Sequence, residues 1–353
     1  MESRLSRSGG QSGSGWAHSH HSFNHSGAAM RRLQLLAPIL AALAVVFSVS
    51  PAQSQVPPTI KLVVGYPPGG SVDTLARLLG QALQDSLKTT VVVDNRPGAG
   101  GRLAAAQFKR AATDGSEIMI APNALTTVQS LVYADKLGYS VLDDFVPVAK
   151  LASYPFALSV PASSNIRTAN DLTAWVKANR AQASYGSSGA GGTSHFAGLM
   201  FAKAANIEWD HVPYKGGAPL VTDLVGGHIG AGVDTLIDHI EHARAGRIRI
   251  VGIFSQKRYA LAPDVPTLAE QGIKGLDIEG WFGAFVPAGM PPATVARLDE
   301  AFGKVLADPA FKARLNKLVI ETSYLNSSDF RKLQAAELQT WAPVVRNSGF
   351  KPD

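Results

Sequence analysis

Three segments carry the residues best suited to chemistry. The first, Gly65-Tyr66-Pro67-Pro68-Gly69-Gly70-Ser71-Val72-Asp73, leads from a β-rich run into a helical pattern. Its glycines let the backbone approach a ligand closely. The first-turn N–H groups beyond Ser71 point outward at the positive end of a helix dipole, a seat for a carboxylate or phosphate. An ordinary tight turn with Ser71 as N-cap accounts for the same residues. The second segment, Ala121-Pro122-Asn123-Ala124, presents the Asn123 amide to a ligand or to a turn. The third and richest runs from Gly186 to His195. It sets the hydroxyls of Ser187, Ser188, Thr193 and Ser194 and the glycines Gly189 and Gly191 among several backbone donors, a cradle for an anion.

Other chemistries lack their signatures. The spacing Gly189-x-Gly191 is followed by Ser194 where a dinucleotide fingerprint needs glycine, and no Walker A sequence occurs. Gly186-x-Ser188 is followed by Ala190 where a nucleophile elbow needs glycine. Ser194 and His195 are neighbours in sequence, yet side chains one position apart on a helix diverge by roughly 100°. His239-x-x-His242 has no third metal ligand in view and reads as a polar helix face. With no cysteine, disulfides, thiolate zinc and thiol nucleophiles are excluded, and no cofactor is expected. Half of the net charge of +6 sits in residues 1–54, where Arg4, Arg7, Arg31 and Arg32 face Glu2 alone. The remaining basic residues are scattered among acidic ones, so no nucleic-acid partner is expected.

The elements that position these loops follow from periodicity. Ile60 to Val64, Thr90 to Val93 and Ile118 to Ala121 read as strands, separated by helices over Ser71 to Leu83 and Leu103 to Ala111. That βαβαβ order implies a parallel sheet. A second α/β series runs from helix Asn170 to Asn179 through strand Arg247 to Phe254, with helices over His195 to Ala205, Pro219 to Val225 and Thr235 to Ala245. The tail reads as helical, with no strand of its own. Pro292 to Leu306 forms one helix, and Ser328 caps a last one that carries Phe330, Leu333 and Trp341 on one face. Upstream, residues 1–29 form a Gly-, Ser- and His-rich leader. Arg31-Arg32, the apolar run Leu33 to Val49 and Ala52-Gln53-Ser54 read as a secretory signal peptide from Met30 to about Ser54, so the mature chain is expected in the periplasm.

Six segments in order carry a family resemblance. They are Tyr66 to Asp73, Asn95-Arg96-Pro97-Gly98-Ala99-Gly100-Gly101, Ser187 to His195, His211-Val212-Pro213-Tyr214-Lys215-Gly216, Pro263 to Thr267, and Trp281-Phe282-Gly283 before Pro287-Ala288-Gly289. Together they resemble the Bug or TctC-type extracytoplasmic solute receptors of tripartite tricarboxylate transporters. The resemblance implies an α/β, two-lobed periplasmic-binding-protein type II fold, each lobe a mainly parallel sheet flanked by helices, with two interlobe crossovers. Residues 55–157 plus 281–353 would form one lobe and 158–280 the other. It implies a monomer that closes on a small mono- or dicarboxylate and serves a transporter's membrane components. The carboxylate would be held by backbone amides, hydroxyls and water. The implied contacts are Pro68, Gly69, Gly70, Ser71, Asp73, Asn123, the Ser187 to His195 loop, and Asp234-Thr235. Two further readings stay open: an exported serine hydrolase using Ser188 or Ser194 with His195 and Asp234, and a sensor that reports to a membrane signalling partner.

Overall fold

Short apolar runs and amphipathic stretches alternate as strands and helices in the computed structural model, which describes residues 57–352. The leader and signal peptide expected over residues 1–54 lie outside the described residues. The first βα series is β1 (Thr59–Val64), α1 (Ser71–Leu87), β2 (Thr90–Asn95), α2 (Arg102–Phe108) and β3 (Glu117–Pro122). A wide turn, Ala124–Val128, runs into a single helical turn, Gln129–Val132, ahead of the long β4 (Phe145–Pro161). The second series is α3 (Ala169–Ala178), β5 (Ser184–Ser187), α4 (Thr193–Ala205), β6 (Asp210–Pro213), α5 (Gly217–Gly226), β7 (Ala231–Thr235), α6 (Leu236–Arg244) and β8 (Ile248–Ile253). The chain ends with β9 (Glu279–Pro287), α7 (Pro292–Ala307), α8 (Pro309–Lys317), β10 (Glu321–Leu325) and α9 (Ser327–Asn347).

The strands join in the order β2-β1-β3-β9-β4-β7-β5-β6, with β8 and β10 also on β4. Pairing is parallel on both flanks, β1 with β2 and β3, and β5 with β6 and β7. It is antiparallel along the centre, where β4 changes partners. Phe145 to Pro155 lies against β9, whereas Phe156 to Ser159 lies against β7 and Ala157 to Pro161 against β8. The α/β, two-lobed architecture expected from the resemblance is therefore present as two half-sheets fused through one strand, and the chain returns to the first half between β8 and β9.

The expected helix spacing holds for α1, whose Val72, Leu75, Ala76, Leu79 and Leu83 are buried. Three details differ. Ser71 is the first residue of α1 rather than its cap, which is Gly70. The last helix is capped by Asn326, whose side chain accepts from the Asp329 N–H at 3.0 Å, so Ser328 already lies inside the helix. The tail also owns a strand, since β10 pairs antiparallel with β4 over Lys150 to Ser153. Its short, half-exposed sequence shows no alternation, which hides it from pattern reading.

α9 docks on the first half through Phe330, fully buried against Trp281 and Phe285 of β9. Glu337 accepts from Trp281 Nε1 at 2.7 Å. The close seat depends on Gly283, because a Cβ there would meet Phe330 Cζ at 2.3 Å. Gly283→Ala is expected to cost about 1–3 kcal/mol by overpacking, read as a lower urea midpoint with an unchanged slope. An unaltered midpoint would remove this account of how α9 is seated.

Candidate ligand-binding site

In both half-sheets a parallel strand hands directly to a helix, so the helix N-termini face the carboxyl edge of the sheet. Four of them, those of α1, α4, α5 and α6, meet at one cavity of about 40 Å³ that both halves line. Ser71 and Val72 open α1, Ser194 opens α4, Gly217 and Ala218 open α5, and Thr235 caps α6. The first N–H groups of each helix have no carbonyl of their own helix to meet. Each terminus also brings roughly half a positive charge.

Asp238 crosses the cavity from the second half to the first. Its carboxylate accepts the Ser71 N–H at 2.7 Å and the Ser71 hydroxyl at 3.1 Å. Thr235 caps α6 by accepting the Asp238 N–H at 3.2 Å, and its hydroxyl donates to Asp238 Oδ2 at 3.2 Å. Asp234, at the end of β7, accepts the Ser188 hydroxyl at 2.8 Å, and Ser188 also meets Ser194 Oγ at 3.1 Å. Burial raises the pKa of both carboxyls, and the charge of Asp238 raises Asp234 further.

Six of the residues proposed from sequence line this cavity: Gly70, Ser71, Ser188, Ser194, Asp234 and Thr235. The others stand elsewhere. Pro68 and Gly69 are exposed, and the Gly69 N–H donates to Asp73 at 2.9 Å. Asp73 is tied up by Arg77 and Asn95, which hold its carboxyl below the usual range against the cost of burial. Asn123 is fully buried, with its amide nitrogen 3.4 Å from the Glu279 carbonyl. Gly189 and Gly191 turn toward the first half, where Gln129 and Tyr133 reach the carbonyl of Ala190 at 3.5 and 3.4 Å. Thr193 is buried at the start of α4, outside the cavity wall.

Ser187 and His195 belong to a support behind the wall. Ser187 Oγ bonds His211 Nε2 at 2.7 Å, the His195 ring stacks on His211 at 3.8 Å, and His195 Nδ1 accepts the Gly191 N–H at 3.1 Å. Phe350 covers the His195 ring edge-on at 4.7 Å. His195 is thus committed to loop packing, and its bonds reach neither Ser188 nor Ser194, so the hydrolase constellation is not assembled. Tyr214 bonds Asp223 and Arg96 pairs with Asp94 and Glu117, which makes both structural.

Sequence reasoning missed the aromatic wall of Tyr154, Phe156 and Phe282, as well as Gly217 and Asp238. Gly216, which the sequence offers as an anion contact or a turn within Tyr214-Lys215-Gly216, lines the cavity and, at φ +122°, turns the chain into α5 against Pro67. Asp238 left no such mark, since it reads as one more polar residue in a helical stretch.

A family model described as "Tripartite tricarboxylate transporter family receptor" matches residues 75–350. Protein BugT of Bordetella pertussis is 31% identical over 328 residues, covering 91% of this chain and 99% of its own. The solved periplasmic binding protein BugD superposes with a TM-score of 0.79 at 29% identity, over 84% of this chain and 99% of that one. An R. palustris protein solved with adipate gives 0.81 at 30% identity, over 84% and 99%.

Burial keeps the stacked imidazoles neutral, at about 4 for His195 and about 3 for His211 against an ordinary 6.5. An unfolded chain protonates them first as pH falls through 6.5, so the stability of the neutral stack is complete above that value and declines toward pH 4. The stability advantage of the wild type over His211→Gln is expected to shrink across that interval. A difference that stays constant in denaturation series at each pH would count against the stack as described.

Proposed function

Because the chain belongs to the tripartite tricarboxylate transporter receptor family, we propose that it captures a small carboxylate between its halves and delivers it to the membrane components of such a transporter. The family comprises periplasmic solute-binding receptors, not enzymes. The observation that carries the reading is the meeting of four helix N-termini on one cavity walled by both halves. Backbone donors in that number suit a carboxylate without an arginine partner. A relative of the same fold solved with adipate supports the ligand class.

A space of about 40 Å³ holds little more than water, so a solute of several carbons enters by separation of the halves. The lobes are taken as residues 55–157 with 281–353, and 158–280. The change of partners along β4 supports that division. Hinge closure then re-forms the Ser71–Asp238 bridge around the solute and shifts the population toward the form that the membrane partner binds. The signal peptide from Met30 to Ser54 directs export to the periplasm, where the receptor works as a monomer.

Calorimetric titration with a panel of small carboxylates, with and without amino groups, is expected to show saturable one-to-one binding without turnover. Gly217→Ala would set a methyl 2.3 Å from Asp238 Oδ2 and 2.7 Å from Asp234 Oδ2. It is expected to weaken binding by about tenfold or more, the effect of closing a site by overpacking. If nothing in the panel saturates the folded protein, the receptor reading fails.

A further inference from the structure

One part of the cavity is built from acceptors. Asp234 is 1% exposed, and its Oδ2 has no hydrogen-bond partner among the described residues. Among the described residues, Asp238 Oδ2 accepts two hydroxyls, from Ser71 at 3.1 Å and Thr235 at 3.2 Å. Both Oδ2 atoms approach one point beside Gly217, where an added Cβ would lie 2.7 and 2.3 Å from them. They are therefore within bonding reach of the same small group.

No Lys, Arg or His side chain lines the cavity among the described residues, whereas the rings of Tyr66, Tyr154, Phe156 and Phe282 do. A buried acceptor left without a donor costs about 1–3 kcal/mol, and more when it is charged. Two carboxylates in a site without a basic residue also repel one another. The raised pKa of each carboxyl reports the same strain, caused by burial first. A plain dicarboxylate would add negative charge beside them. An ammonium brings three donors and one positive charge, and aromatic faces next to carboxylates are surroundings that cations favour.

The donors lie elsewhere in the same cavity. The Ser71 N–H of α1 is taken by Asp238, and the N-termini of α4 and α5, at Ser194 and at Gly217–Ala218, offer an anion seat. Building on the receptor reading above, we infer that the solute is an amino-carboxylate, with its carboxylate on the N-termini of α4 and α5 and its ammonium between Asp234 Oδ2 and Asp238 Oδ2. The acidic pair then selects among carboxylates by requiring a cation on the same small molecule.

Paired calorimetric titrations test this: L-aspartate against succinate, L-glutamate against glutarate, L-alanine against propionate. At least one amino-carboxylate is expected to bind about tenfold or more tightly than its nitrogen-free counterpart. Asp234→Asn, checked for cooperative unfolding, is expected to cut that preference about fivefold or more, and Asp238→Asn serves if the first variant does not fold. A nitrogen-free member that binds as tightly as its counterpart, or a preference unchanged in the folded variant, overturns the amino-carboxylate and leaves the receptor standing. If neither member of any pair binds the folded wild type, both readings fall.

Discussion

Helix N-termini cannot be left empty, and here four of them point at one place. Their N–H groups need acceptors, and their partial charges repel one another unless anionic groups lie between them. Much around the cavity answers that demand. Asp238 reaches across to α1, Thr235 caps α6, and Ser188 and Ser194 link β5, α4 and Asp234. Two acidic side chains in a site suited to anions cease to be a paradox once the dipoles are counted. They neutralise part of a field that the fold imposes, and what they leave unsatisfied sets the chemistry still to be supplied from outside.

The arrangement holds because the layers behind it are tightly packed. The His195–His211 stack fixes the turn of the Ser187 to His195 loop from behind, and Tyr185 stacks on Trp209 at 4.5 Å beneath it. The loop's tip, at Ala190, leans on Gln129 and Tyr133 of the opposite half. A segment that looks like a ligand cradle by composition thus divides its labour. Ser188 and Ser194 face the cavity, while its glycines let two halves of the molecule come close.

Much of this was legible in residue order, and the gaps have physical causes. Apolar spacing located α1, and β-branched runs located β1, β2 and β3 to within a few residues. The family resemblance supplied the two-lobed plan that periodicity alone does not contain. β4 escaped because nearly all of its 17 residues are buried, so it shows no alternation, and Pro147 and Pro155 interrupt it. In the site, residue type was readable but direction was not. Ser188 and Asp234 face the cavity, whereas Ser187 and His195, chosen by the same reasoning, point behind it. Asp238 matters only because α6 begins where β7 ends and aims it across a gap, a relation between elements that no local pattern encodes.

The placement of β9 bears on how the molecule comes into being. This strand lies between β3 and β4, yet it follows β4 by more than a hundred residues and arrives only after the whole of the second half. Until β9 is available, β1, β2 and β3 form a sheet fragment whose β3 edge stays open, and the long β4 has no neighbour there to pair with. The second half, whose strands are contiguous in sequence, has its own partners at hand and is free to organise first around the far end of β4. Maturation of the first half therefore waits for a strand made late, a long-range closure of the kind that slows folding and extends exposure of apolar edges to chaperones.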